Sequence, residues 1–305
     1  MKKILLLIFI FIAGHVHAQT VTGTVFDEAQ KKPVAYAIVI YSNHKKIVYT
    51  DSTGFFSLPK DSLSLDDTVF IENVGYKTVW VPVKKMINAT DYYLRTEENI
   101  LKPVFITTCK KTKDFDINKR VGRIRQYIGP GPEYKLIILA KYDNNSGKPG
   151  YMHSFSIYLE EPDKTHALPL RLRWYEWDVI NQKPGKELTD TNLIVHPFKK
   201  GWNTFDIPDY TIFFPAQELV LGVEFIYSPE YNKEYAALTS SAEKLKWLAD
   251  MKNRWALGMQ YVKDTSDGGL YMVNNVTNPI PYGQRFERYF IRPALKFSIK
   301  VCVEK

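Results

Sequence analysis

The stretch YTDSTGFFSL, Tyr49–Leu58, decides how the first third of this chain is read. It sets one acid and one glycine between aromatic residues, which suits either a ligand-holding acidic turn or a hairpin. A calcium loop needs further oxygen ligands at alternating positions, and here Ser52, Thr53 and Phe55 surround a single Asp. A hairpin turn needs only what is present. Asp51 at its first position can accept hydrogen bonds from N–H groups two or three residues on, and Gly54 at its fourth tolerates positive φ. Strand alternation then sends Phe56 and Leu58 to one face and Phe55 to the other. The stretch is expected to be a turn that fixes a strand register.

The flanking sequence agrees. TVTGTVFD leads into a polar turn at Glu28–Lys32, and PVAYAIVIY follows, rich in β-branched and aromatic residues. KIVYT, GFFSL, TVFIENVGY, TVWVPV, YYLR and NILKPVFI complete seven or eight short strands before residue 108. Turn signals at this spacing predict a small β-sandwich.

The motifs occur in a fixed order. G-x-V-x-D (Gly23, Val25, Asp27) comes first, then P-V-x-x-A-x-V (Pro33 to Val39), T-D-x-x-G-x-F-x-L (Thr50 to Leu58) and V-G-Y (Val74 to Tyr76). In this order they resemble the carboxypeptidase regulatory-like domain. The resemblance implies a transthyretin-like sandwich and a place among the envelope proteins of outer-membraned bacteria. It implies no peptidase activity, because that domain is a non-catalytic accessory.

The N-terminus points to the same compartment. Lys2 and Lys3 precede the short apolar run Leu5–Gly14, and Val16-His17-Ala18 supplies a small-residue cleavage site. Residues 1–18 are expected to be a signal peptide, with the mature chain starting at Gln19 and no Cys there to carry a lipid. No later run approaches the ~18 apolar residues of a membrane-spanning helix. The expected location is exported: periplasmic, outer-membrane associated or extracellular.

With 45% apolar and 24% charged residues the chain can form ordinary cores, and its 14% aromatic share favours β-structure. The formal charge of +8 includes the two leader lysines. The remaining basic residues are scattered among acids, so no nucleic-acid-binding stripe is expected. Cys109 and Cys302 are the only cysteines. Either they bridge the ends of the second half or they remain apart; spacing does not decide.

KKTKDFDINKR (Lys110–Arg120) is charged and poor in apolar residues, so residues 109–132 read as a linker or entry segment after a first domain at 19–108. Residues 133–305 form a second β-rich domain with one interruption. There, Leu245, Leu248, Met251 and Trp255 follow Ser240-Ser241 at helical spacing, predicting a helix near 241–256. The expected fold class is therefore all-β: two β-sandwich domains, the first Ig/transthyretin-like, the second jelly-roll-like with one inserted helix.

Catalytic motifs are absent. His44, His153, His166 and His196 show no metal-ligand spacing, and there is no G-x-S-x-G elbow. Neither metal nor cofactor is expected. Glu176 and Glu224, each in an aromatic-rich strand, are the best carboxylate pair for a glycan-directed hydrolase, with His196 as a third member. The alternative is that Glu224 pairs with Arg171 or Arg173. In LRLRWYEW, period two places Leu170, Leu172 and Trp174 on one face and Arg171, Arg173, Tyr175 and Trp177 on the other. Two guanidiniums beside two aromatic rings form a candidate glycan-binding surface. Trp202, beside Gly201, is either a core anchor or an exposed hairpin aromatic. The leading expectation is a non-catalytic interaction, glycan-binding or structural module. Its expected partner is a cell-surface glycan, an outer-membrane receptor or another envelope protein; the runner-up is the hydrolase.

Overall fold

The computed structural model describes residues 20–41, 46–97, 111–118, 124–128, 136–160, 168–197, 199–208, 211–228, 238, 242–243, 246, 256–262, 271–274, 280–281 and 290–304. Its architecture is all-β, in two sandwiches. The first contains β1 (Thr20–Asp27), β2 (Ile38–Tyr41), β3 (Lys46–Tyr49), β4 (Phe55–Pro59), β5 (Thr68–Glu72), β6 (Val79–Pro82) and β7 (Asp91–Leu94). A single-turn helix, α1 (Val83–Met86), follows β6. One sheet has the order β4-β1-β7 and the other β3-β2-β5-β6. Pairing is antiparallel except for β1 with β7, which run parallel. Val25, Val39, Phe56, Leu58, Val69, Ile71 and Leu94 meet between the sheets, all fully buried.

The sequence motifs prove to be the fasteners of this domain. Asp51 Oδ1 accepts hydrogen bonds from the Thr53 N–H at 2.8 Å, the Thr53 hydroxyl at 2.7 Å and the Phe55 N–H at 3.0 Å. Gly54 has φ 76°, and a Cβ there would lie 2.6 Å from the Val25 carbonyl oxygen. The preceding Thr50 is fully buried; its hydroxyl accepts the Ala37 N–H and donates to the Val34 carbonyl. Asp27 Oδ1 caps the following turn through the N–H groups of Ala29 and Gln30, while Oδ2 accepts the Tyr76 hydroxyl at 3.0 Å. Residues nearly fifty positions apart are thus closed onto each other by one carboxylate. Phe56 and Leu58 face inward and Phe55 is exposed, as alternation requires.

The second sandwich is built from β8 (Lys111–Ile117), β9 (Ile124–Ile128), β10 (Leu136–Asp143), β11 (Gly150–Glu160), β12 (Leu170–Asp178), β13 (Lys183–Glu187), β14 (Ile194–Val195), β15 (Gly201–Asp206), β16 (Phe213–Phe214), β17 (Glu218–Phe225), β18 (Ala256–Val262), β19 (Tyr271–Asn274), β20 (Ile280–Pro281), β21 (Phe290–Pro293) and β22 (Leu295–Glu304). One sheet runs β13-β12-β17-β10-β19-β20, with β14 also on β12. The other runs β21-β18-β11-β22-β8, with β15 and β16 on β11 and β9 on β18. The chain crosses repeatedly from one sheet to the other, as in a jelly roll. Rings from the two sheets touch in the core, Tyr142 and Phe297 edge to face at 5.1 Å.

One expectation needs revision. The stretch 109–132 is not a bare linker: Lys111–Ile117 pairs with the C-terminal strand and Ile124–Ile128 with β18. Its charges misled because this is an edge strand, where five of the first six residues can face water and Ile117 alone is buried. The helix near 241–256 lies almost wholly outside the described residues; Ala242, Glu243 and Lys246 are described, and all three are helical. Cys302 is disulfide-bonded, and Cys109, the other cysteine, lies outside the described residues.

Strand β2 links the two sandwiches. All four of its residues are buried, because Val39 and Tyr41 enter the first core while Ile38 and Ile40 join the second core. Ile47 and Tyr49 of β3 lie beside them. The two domains therefore share one continuous apolar cluster.

Two outcomes follow for the first domain. Gly54→Ala forces a side chain into the left-handed region against a carbonyl, so urea unfolding should show a loss of at least about 1–2 kcal/mol. Asp27 is held below its ordinary carboxylate range, foremost by the Gln30 N–H, aided by Tyr76, Ala29 and Lys31 and opposed by burial. A depressed folded-state value gives a contribution complete above the unfolded value and lost as pH falls through the folded one. Asp27→Asn should therefore destabilise by about 1 kcal/mol at pH 7, and the difference from wild type should shrink as pH falls below the ordinary carboxylate range.

Candidate functional site

The LRLRWYEW strand, β12, alternates as its sequence requires. Leu170, Leu172 and Trp174 enter the main core, and Tyr175 joins Ile137, Leu139 and Val220 on the other face, with half-buried Trp177 against them. The Lys141 ammonium lies 5.3 Å from the Trp177 ring centroid and also pairs with Glu218 and Asp143.

The two arginines are not on an open surface. Arg171 is fully buried and Arg173 is 6% exposed. Between them sits Glu224, also fully buried, because β12 and β17 pair with Arg171 directly opposite Glu224. Arg173 Nε donates to Glu224 Oε2 at 2.8 Å, and Arg171 Nη1 lies 3.3 Å from Oε1. The first domain completes the shell: the Tyr49 hydroxyl donates to Glu224 Oε1 at 2.9 Å, and Arg171 Nη2 donates to the Tyr36 carbonyl at 2.7 Å. Tyr36 holds the left-handed φ of 57° as it presents that oxygen. Asn192 accepts from Arg171 Nε, and Glu187 accepts from Arg173 Nη1.

Two guanidiniums face two carboxylates here, so the buried charge is balanced. Burial works against the charge of Arg173, yet Glu224 and then Glu187 hold it protonated, its pKa well above the ordinary value. Burial pushes the Tyr49 hydroxyl up, and the Glu224 charge adds to it, so Tyr49 stays a neutral donor. Tyr175 is likewise raised, chiefly by burial.

This arrangement corrects the sequence reading of the four-residue surface. Arg171 and Arg173 are held inside a domain interface, Tyr175 lies in a small core, and Trp177 alone reaches water. It also separates the proposed carboxylate pair. Glu176 stands five positions along β12 from Glu224's partner Arg171, about 17 Å at the strand rise, and the odd offset puts it on the opposite face. His196 is exposed beyond the end of β14. No common cleft joins the three. Among the described residues there is no group of three or more His, Cys, Asp or Glu suited to a metal ion.

A different surface is open. The outer face of the second sheet carries Ser154, Ser156 and Tyr158 on β11, with Asp206, Thr204 and Trp202 directly opposite on β15. Ser298 and Lys296 of β22 flank the same serines on the other side. Trp202 is neither core anchor nor bare tip: it is half-buried on this face, edge to face with Tyr158 at 5.6 Å and with the Lys296 ammonium 4.2 Å from its ring centroid. The sequence signal for this face was the outward series Ser154, Ser156, Tyr158, which alternation alone could have exposed.

Residues 21–106 match the family model of the CarboxypepD_reg-like domain. No curated protein matches the chain. Among solved structures the chain is similar to the crystal structure of the cysteine protease and lectin-like domains of Cwp84, a surface layer associated protein of Clostridium difficile. That similarity has 10% identity and a TM-score of 0.33, over 88% of this chain and 59% of that one. The chain thus spans less than two thirds of that structure, and a likeness of this degree carries no argument.

The interface network sets its own test. Glu224→Ala leaves two buried guanidiniums without their shared partner and should cost about 3–5 kcal/mol in urea unfolding. Tyr49→Phe removes one of the bonds to Oε1 and should cost about 1–2 kcal/mol.

Proposed function

We propose that this chain, whose first sandwich is a carboxypeptidase regulatory-like domain, is an exported, non-catalytic interaction module of the cell envelope. The larger sandwich presents the contact surface, and the regulatory-like domain acts as a rigid extension of it. The observation that carries this reading is Glu224. The carboxylate best placed by sequence for hydrolysis is fully buried, bonded to two arginines and a tyrosine, and used to fasten one domain to the other.

A general acid or nucleophile must reach its substrate, and a carboxylate enclosed in this way does not. Rigid coupling suits a protein that holds a surface at a fixed orientation, because domains joined by small polar contacts otherwise move relative to each other. Export is supported by the basic, apolar and small-residue segments of residues 1–18. Among the described residues no helix is long and apolar enough to cross a membrane. The partner is a cell-surface glycan or another envelope protein, such as an outer-membrane receptor.

Two measurements test this. Expression in an outer-membraned bacterium, followed by fractionation and N-terminal sequencing, should recover a chain beginning at Gln19 in the envelope fraction. The purified chain, incubated with envelope polysaccharides and peptidoglycan fragments, should release no new reducing ends or free amines. Turnover that disappears in Glu176→Gln or His196→Ala would restore the hydrolase reading.

A further inference from the structure

The outer face of the second sheet has a composition that solvent alone does not require. Serine is a poor strand former beside threonine, valine or the aromatics, yet it occupies adjoining positions on β11 and β22. Short side chains at the centre of the sheet leave a trough between longer neighbours. The trough has a volume of about 210 Å³, with Ser154, Ser156, Ser298, Asp116 and Lys296 lining it and Phe297 among them. Its polar groups are already ordered. Ser298 donates to Asp116 Oδ1 at 2.7 Å, and the Ser156 and Thr204 hydroxyls lie 2.8 Å apart. Lys296 connects the trough to the indole of Trp202, which Tyr158 meets edge-on.

Each component fits one chemistry. Three serine hydroxyls act as donors or acceptors, Asp116 accepts and Lys296 donates. Of the residues lining the trough one is an acid and one a base, so the lining itself carries no net charge to select a charged ligand. An indole at the margin supplies an apolar wall for C–H faces. A compound that is neutral, dense in hydroxyls and apolar on its ring faces satisfies all of these at once. The volume falls below the ~300–1,000 Å³ of an enclosed small-molecule pocket, and the site is open along the sheet. It therefore suits one unit of a longer chain lying across the surface.

We propose that this trough, bounded by Trp202, binds a neutral glycan chain. The proposal deepens the reading of the molecule as a non-catalytic interaction module and rests on it. The binding surface lies on the sheet opposite to the one that LRLRWYEW suggested, remote from the Arg171–Glu224–Arg173 network.

Affinity electrophoresis and titration of tryptophan fluorescence decide the matter, using the purified full-length mature chain. The probes are dextran, cellohexaose and chitohexaose as neutral glycans and polygalacturonate as an acidic one. At least one neutral probe should bind. Ser156→Trp, which fills the trough, and Trp202→Ala should each weaken that binding by about tenfold or more. Trp177→Ala and Trp80→Ala should stay within about twofold of wild type. Both trough variants alter outward-facing side chains, and their melting curves establish that they fold; Ser154→Lys serves in place of either one that does not.

Binding to polygalacturonate alone, or to no probe, overturns the proposal. So does neutral binding that survives Ser156→Trp or that is lost in Trp177→Ala. Release of reducing ends from a bound probe would instead overturn the non-catalytic reading while leaving the position of the site intact.

Discussion

Glu224 carries a negative charge at a point closed to bulk solvent, and the surrounding structure is arranged to make that tolerable. An isolated carboxylate in such a place would lose hydration worth several kcal/mol, so it must be matched by fixed donors. Two guanidiniums from the adjacent strand and one phenol from the other domain provide them. Because the phenol belongs to β3 and the Tyr36 carbonyl precedes β2, the charge is satisfied only when both sandwiches are in place. The apolar cluster around Ile38, Ile40 and Ile47 supplies attraction between the domains, and the polar network fixes their register. A buried ionic network is weak evidence for stability but a good determinant of one relative orientation.

That division of labour bears on function. The sheet that faces the first domain has Arg171, Arg173 and Glu224 taken up by the interface, whereas the opposite sheet keeps a row of short hydroxyl side chains, the Asp116 and Lys296 charges and a Trp–Tyr pair on its outer face. The same chemical vocabulary, arginines or serines beside aromatics, thus has different meanings on the two sheets. What distinguishes them is whether another layer covers the face.

Much of the first domain was legible in the residues themselves. Asp51, Gly54 and the turn cap of Asp27 act within a few residues of their own position and follow from turn chemistry, while Thr50 reaches Ala37 and Val34 from a motif whose order is fixed. The alternation of β12 was also legible, as was the pairing of Glu224 with a neighbouring arginine, offered there as the alternative to catalysis. The destination of each face was not. IVIY and ELVLGVEF carry almost no polar residues on either side, the usual mark of strands buried on both faces, and that signal could have warned that the arginine face was covered. Lys111–Ile117 misled in the opposite direction, since an edge strand with one buried residue resembles a linker.

By itself the sequence determined the periodicity of the strands, the turns that join them and the family of the first domain, because these depend on neighbours within a few positions along the chain. Tertiary structure alone decided that Tyr49 and Tyr36 would close over Arg171 and Glu224, and that Trp202 would lie beside Lys296 on an open sheet. Those contacts join residues up to 175 positions apart. Period two states that a strand has two faces; only the packing of sheet on sheet and domain on domain states which face meets water.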